Sequence, residues 1–79
     1  MTKAQERALE DALLRAHEHQ DKGALAQLYH EAGKLSEVAG RSEEACFRYT
    51  QAYVYALDSG AEDLAGELKE KLKAQGREE

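Results

Sequence analysis

The sequence has no proline, no tryptophan and no isoleucine, and only one cysteine, one phenylalanine and two valines among its 79 residues. Each scarcity excludes something. Without proline, the breaks between elements fall to glycine and the small polar residues. The shortage of β-branched and aromatic side chains, four tyrosines apart, leaves little material for a sheet. A lone Cys46 cannot close an internal disulfide. No apolar run approaches the roughly 20 residues that span a bilayer. Acidic residues outnumber basic ones 16 to 11, and the net charge of -5 opposes binding to nucleic-acid phosphates or anionic lipid. The stretch from Met1 to Asp11 is charged throughout and lacks the apolar core of a secretory signal. The expectation is a cytoplasmic protein that engages neither nucleic acid nor membrane.

What the chain does contain is the composition of packed helices, with Ala, Glu, Leu, Lys and Arg making up 47 of 79 residues. The length allows one domain over residues 1–79, and the fold class expected is all-α. Large apolar residues are few, ten leucines among them, so the core is thin. A domain this small hides only about 60% of its unfolded surface, which leaves a stability of a few kcal/mol and room for help from a partner or a second copy.

Three groups of turn-forming residues, Asp21-Lys22-Gly23, Gly40-Arg41-Ser42 and Asp58-Ser59-Gly60, divide the chain into four helices near 3–20, 24–39, 43–58 and 61–75. Thr2-Lys3-Ala4-Gln5 has capping-box spacing at the first start. Ser42 opens the third helix with Glu43 and Glu44 in its first turn, where carboxylates complement the helix dipole. Ser59-Gly60-Ala61-Glu62 reads as a second capping box, and Lys69, Lys71 and Lys73 lie toward the end of the fourth helix.

At about 100° per residue the apolar faces differ from helix to helix. The second carries a stripe of Leu25, Leu28, Ala32, Leu35 and Ala39, flanked by Tyr29, Gly33 and Ser36. On the third, Ala45, Cys46, Phe47, Tyr49, Ala52, Tyr53, Val54, Ala56 and Leu57 cover more than half the circumference. Arg48, Gln51 and Tyr55 remain as its polar edge, so this helix is expected to be central. The fourth has a narrow row of Leu64, Leu68 and Leu72 beside Ala61 and Ala65, as suits a capping helix. The first buries Ala8, Leu9, Ala12, Leu13 and Ala16 and leaves Leu14 in water as a contact point. A short echo, Asp21-Lys22-Gly23-Ala24 against Asp58-Ser59-Gly60-Ala61, fits either duplication or convergence on turn chemistry.

Residues 26–59 resemble a tetratricopeptide repeat. Gly33 falls on the glycine of the repeat's first helix, Ala45, Tyr49 and Ala52 on the Ala, aromatic and Ala positions of its second, and Gly40 on the turn between them. Tyr29 stands where the family prefers Trp, Ala32 replaces Leu, Ser36 replaces Tyr, and Leu57 occupies the usual proline position. Small residues let two antiparallel helices approach, and one ring fills the space beside them. The resemblance implies four antiparallel helices stacked as helical hairpins, a fragment of an α-solenoid. It also implies a non-catalytic module that binds a peptide or partner protein along the second helix. Gln27, His30, Lys34 and Glu37 are the partner-binding residues on that reading, at spacings of 3, 4 and 3; the same spacing describes an ordinary solvated face.

The remaining candidates are weaker chemically. His17 and His19 sit two apart on a helix and point to different sides, so they cannot share an ion. His30 and Cys46 lack the companion ligands of a metal motif, and no metal or cofactor is expected. Cys46 reads as a small buried hydrophobe, His19 as a helix-end or partly buried residue, and Tyr49 and Tyr53 as core. No nucleophile, base and orienting group can be brought together, so no enzyme is expected. The alternative to a binding module is a self-associating homodimeric bundle, in which Leu14, Arg48 and Tyr55 supply the interface.

Overall fold

A computed structural model describes residues 3–74. It is all-α, with no strand among the described residues, and its helices are α1 (Lys3–Glu18), α2 (Lys22–Val38), α3 (Ser42–Ser59) and α4 (Glu62–Ala74). Links this short reverse the chain direction, so successive helices pack as hairpins. α3 packs against both α2 and α4, while α1 lies on α2. The tyrosine-rich helix is therefore central, as its wide apolar surface implies. The Cα envelope measures 34 × 30 × 15 Å, and its short dimension is that of two packed helices. No described helix is long and apolar enough to cross a membrane.

The three turns are built alike. Gln20, Gly40 and Gly60 each take a left-handed backbone, with φ of 51°, 79° and 76°. The following amides, those of Asp21, Arg41 and Ala61, reach back to the carbonyls of Ala16, Ser36 and Ala56, all at 2.9 Å. The left-handed residues themselves donate to His17, Glu37 and Leu57 at 3.1 to 3.2 Å, completing a Schellman closure that satisfies helix-end carbonyls. Each next helix then starts with its own bond, from Leu25, Ala45 and Ala65 to the carbonyls of Asp21, Arg41 and Ala61. The unit thus recurs every 20 residues, and buried residues recur with it, as in Leu25, Ala45 and Ala65 or Ala32, Ala52 and Leu72.

This register corrects several expectations about the ends. Asp21 is the N-cap of α2, its carboxylate accepting from the Ala24 amide at 3.1 Å, so that helix starts two residues earlier than expected and takes Gly23 inside. α1 stops at Glu18 because Gln20 already curls the chain. Ser59 is not a cap: it ends α3 and its hydroxyl donates to the Ala56 carbonyl at 3.2 Å. Ser42 lies inside α3, whose N-cap Arg41 makes no side-chain capping bond. The Asp-x-Gly-Ala echo pairs unlike positions, since Gly23 is helical and Gly60 left-handed. Thr2 of the first capping box and residue 75 lie outside the described residues.

The core is made of alanine and one ring. Ala26, Ala45, Ala52, Ala56, Tyr49 and Leu68 are all fully buried where α2, α3 and α4 meet. A Cβ on Gly33 would sit 2.6 Å from Cε1 and 2.7 Å from Cδ1 of Tyr49, so only glycine lets α2 and the Tyr49 ring come this close. A second, smaller cluster of Leu13, Ala16 and Leu25 joins α1 to α2, and half-buried Tyr29 and Tyr55 pack against both clusters. On α1, Ala8 is exposed rather than buried, because α2 covers only the side that carries Leu13 and Ala16, and His19 lies just past the end of α1, exposed, as a helix-end residue. Ala39 is likewise exposed, beyond the end of α2.

Candidate functional site

The expected row on α2 is split by α4. Gln27 and Lys34 are exposed, Lys34 with its ammonium 3.7 Å from Glu31. His30, one position round the helix, is 7% exposed and is not part of an outward strip. α4 lies beside this edge of α2: His30 Nε2 is 3.5 Å from Glu67 Oε2, and its ring stands 6.0 Å from that of Tyr49. Burial pushes the His30 imidazole below the usual histidine range, and Lys34 adds to this, while Glu67 acts in the opposite sense. Glu37 is engaged as well. It accepts a hydrogen bond from the Tyr49 hydroxyl at 2.6 Å and lies 3.5 Å from Lys71 Nζ. Lys71 in turn sits 4.9 Å from the centre of the Tyr49 ring and 3.4 Å from its hydroxyl. Burial first, then the bond to Glu37, raises the Tyr49 phenol well above its ordinary value. Two of the four expected partner-binding residues therefore belong to a polar seam that ties α4 to the α2–α3 hairpin.

The three interface candidates divide in the same way. Leu14 is 62% exposed, about 100° round α1 from buried Leu13 and off the side that α2 covers. Tyr55 is not a free contact ring. It is half-buried and stacks on Tyr29 with centroids 5.7 Å apart and planes 5° from parallel, while His17 meets both rings edge-on. His17 Nε2 and the Tyr29 hydroxyl are 3.0 Å apart, so this aromatic cluster laces α1, α2 and α3 together.

Arg48, half-buried, lies at the edge of a cleft of about 120 Å³ between α1, α2 and α3. Leu9, Leu13 and Leu35 line it together with Ser36, Arg41 and Glu44. The Ser36 hydroxyl donates to Glu44 at 2.8 Å, which holds the Glu44 carboxyl below its usual value, and Arg41 stands between Glu6 at 3.8 Å and Glu44 at 3.6 Å. The opening is bridged by charges that already have partners. No histidine or cysteine lines it, and among the described residues no group of three or more His, Cys, Asp or Glu side chains could hold a metal ion.

The surface that does stand open is the outward face of α3, part of the broad apolar circumference that marks the helix as central. Phe47 is 60%, Val54 46% and Leu57 56% exposed. Their exposure has a simple cause. The alanines at 45, 52 and 56 and the Tyr49 ring already fill the side of α3 that meets α2 and α4, and Phe47 and Val54 project from the opposite side. The signal was in the sequence: Phe47 and Val54, seven residues apart, share one face of the helix, away from the Ala45, Ala52 and Ala56 row. Comparison with protein-family models, with curated proteins and with solved structures gives no significant match.

Proposed function

We propose that this protein is a non-catalytic interaction module, a small helical-hairpin scaffold that presents the outward face of α3 to a peptide or partner protein. The observation that carries this reading is the row of Phe47, Val54 and Leu57, each about half exposed or more on a chain with few large apolar residues to spare. Surface apolar residues grouped on one face mark interaction sites more often than scattered ones do. The close approach of Gly33 to Tyr49 is a tight helix-hairpin contact of the kind that the resemblance to a tetratricopeptide repeat implies. The binding face favoured here is α3 rather than α2, because His30 and Glu37 are taken up by the seam with α4. Capture of partners from lysate by the full chain, compared with a Phe47→Ser, Leu57→Ser variant of unchanged helicity, tests the reading. Capture is expected to disappear in that variant and to survive Gln27→Lys with Lys34→Glu. The reverse pattern returns the binding face to α2.

Self-association is the second reading, favoured by Leu14, which is 62% exposed on α1. Sedimentation equilibrium over a wide concentration range distinguishes it, since a strict monomer leaves it without support.

A further inference from the structure

The outward face of α3 has a charge pattern as well as an apolar row. Phe47 and Val54 are seven residues apart, and Thr50 and Leu57 repeat that interval one step round the helix, the spacing of a seam that receives another helix. Glu43 in the first turn and Asp58 near the last close the strip, and the outward positions between them, Phe47, Thr50, Gln51 and Val54, carry no positive charge. Asp58 has one loose pairing, with Lys22 at 3.8 Å, both side chains about half exposed. Glu43 has no ion-pair partner among the described residues. Beside it is a shallow hollow lined by Glu43, Cys46, Phe47 and Thr50. A Lys or Arg entering there would lay its aliphatic stem and cation along the Phe47 ring and bring its charge to the Glu43 carboxylate.

We propose that this strip docks a short amphipathic helix of a partner protein, an apolar row flanked by Lys or Arg, and not a second copy of this chain. The proposal rests on the reading of α3 as the docking face. Charge selects the occupant first. Two α3 helices laid together bring Glu43 against Glu43 in parallel, or against Asp58 in antiparallel, on chains that each carry a net charge of -5. Size selects it second. From Phe47 to Leu57 the strip runs about 15 Å along the helix. At roughly 10 Å wide, the diameter of a helix, two such faces bury a few hundred square ångströms, far below the approximately 1,200 Å² at which stable interfaces begin. A short helix laid on the same strip buries no more, so its binding is weak and depends on the charge attraction that a second copy lacks.

The test uses the full chain and two labelled synthetic helical peptides of about three turns. They share one leucine row; one is flanked by Lys and the other by Glu. At physiological salt the Lys peptide is expected to bind about tenfold tighter than the Glu peptide in fluorescence anisotropy, with amide shifts in the NMR spectrum confined to the outward residues of α3. Glu43→Lys should cancel most of that preference, and Phe47→Ser should abolish binding of both peptides while the circular dichroism stays unchanged. Equal affinity of the two peptides, or indifference to Glu43→Lys, overturns the basic partner and leaves α3 as a docking face. Binding that survives Phe47→Ser overturns the face itself. A dimer in sedimentation that dissolves on Phe47→Ser assigns the strip to a second copy and overturns the proposal.

Discussion

The two sides of α3 invert the usual arrangement of a small helical domain. Its inner side is alanine at 45, 52 and 56 around a single large ring, Tyr49, all of them fully buried. Its outer side carries Phe47, Val54 and Leu57, each about half exposed or more. Large apolar residues normally go inward, where each stabilises by roughly 1.5–3 kcal/mol. Here the inner side instead gains from closeness: small residues let α2 and α4 approach, and dispersion contacts with one ring replace several large side chains. The consequence is that cohesion is concentrated on few atoms, while bulk that could have filled a core stays on the surface.

The sharpest way to break this contrast is at Gly33. A methyl group there would stand within 3.0 Å of three atoms of the Tyr49 ring, and the ring has no room to retreat because its residue is fully buried and its hydroxyl is held by Glu37. Gly33→Ala is expected to cost about 2 kcal/mol or more, lowering the melting temperature by about 10 °C for a domain of this size. Gly66 is the control. It lies inside α4, exposed, with nothing within 4 Å of the position a Cβ would take, so Gly66→Ala should instead stabilise by about 0.5–1 kcal/mol. If both variants melt alike, close approach at Gly33 is not what holds the helices together.

The seam between α4 and the hairpin gives the inner side a pH window that the outer side lacks. His30 is held below its unfolded value of 6.5, so the unfolded chain binds the extra proton first and stability falls as pH drops below about 6.5. Lys34 and Glu31 of α2, Glu67 and Lys71 of α4 and the Tyr49 ring of α3 surround it, and burial outweighs the attraction of Glu67. Tyr49 works at the other end. Its phenol is raised above the unfolded value of 10, so stability present below that pH is lost as pH rises through and beyond it; Tyr29, raised by burial and by Tyr55, shifts the same way. Urea midpoints should fall between pH 7.5 and 5.5 in the native sequence and less in His30→Gln. They should also fall above about pH 10, and less in Tyr49→Phe, which loses about 1 kcal/mol at neutral pH through its missing bond to Glu37. An acid limb unchanged by His30→Gln would place the charge burden elsewhere in the seam. Glu44 does not interfere at pH 5.5, because its stabilising contribution is lost only as pH falls through the range below about 4.5.

How far these features could be read in advance differs by kind. Helix number and type followed from composition and from Gly40 and Gly60, because turn chemistry is local. The closeness of α2 and α3 at Gly33 and Tyr49 followed from the size of the residues. The turn register did not: Gln20 takes the left-handed conformation that glycine takes at 40 and 60, and nothing local marks it. The fate of His30 and Glu37 depended on where α4 lies, a long-range fact that spacing along α2 does not contain. Apolarity placed Phe47, Val54 and Leu57 on the broad face of a central helix without saying which part of that face is covered, since a count of apolar residues does not ask how many faces of a helix have neighbours.

The smallest expected effect falls on that outer side. Replacing Phe47 and Val54 by serine removes large apolar groups, and in a buried core each change would cost several kcal/mol. At positions 60% and 46% exposed about half of each residue's surface already lies in water, and each substitution should change stability by no more than about 0.5 kcal/mol. Ala52→Ser offers the matched contrast. It adds a single oxygen to a fully buried site lined by Tyr49 and alanines, where a hydroxyl would have to find a partner or cost about 1–3 kcal/mol. Thermal melts of the three variants thus order the two sides of α3 by role. If the outer substitutions prove as costly as Ala52→Ser, the apolar row is structural, and a binding role for it loses its physical basis.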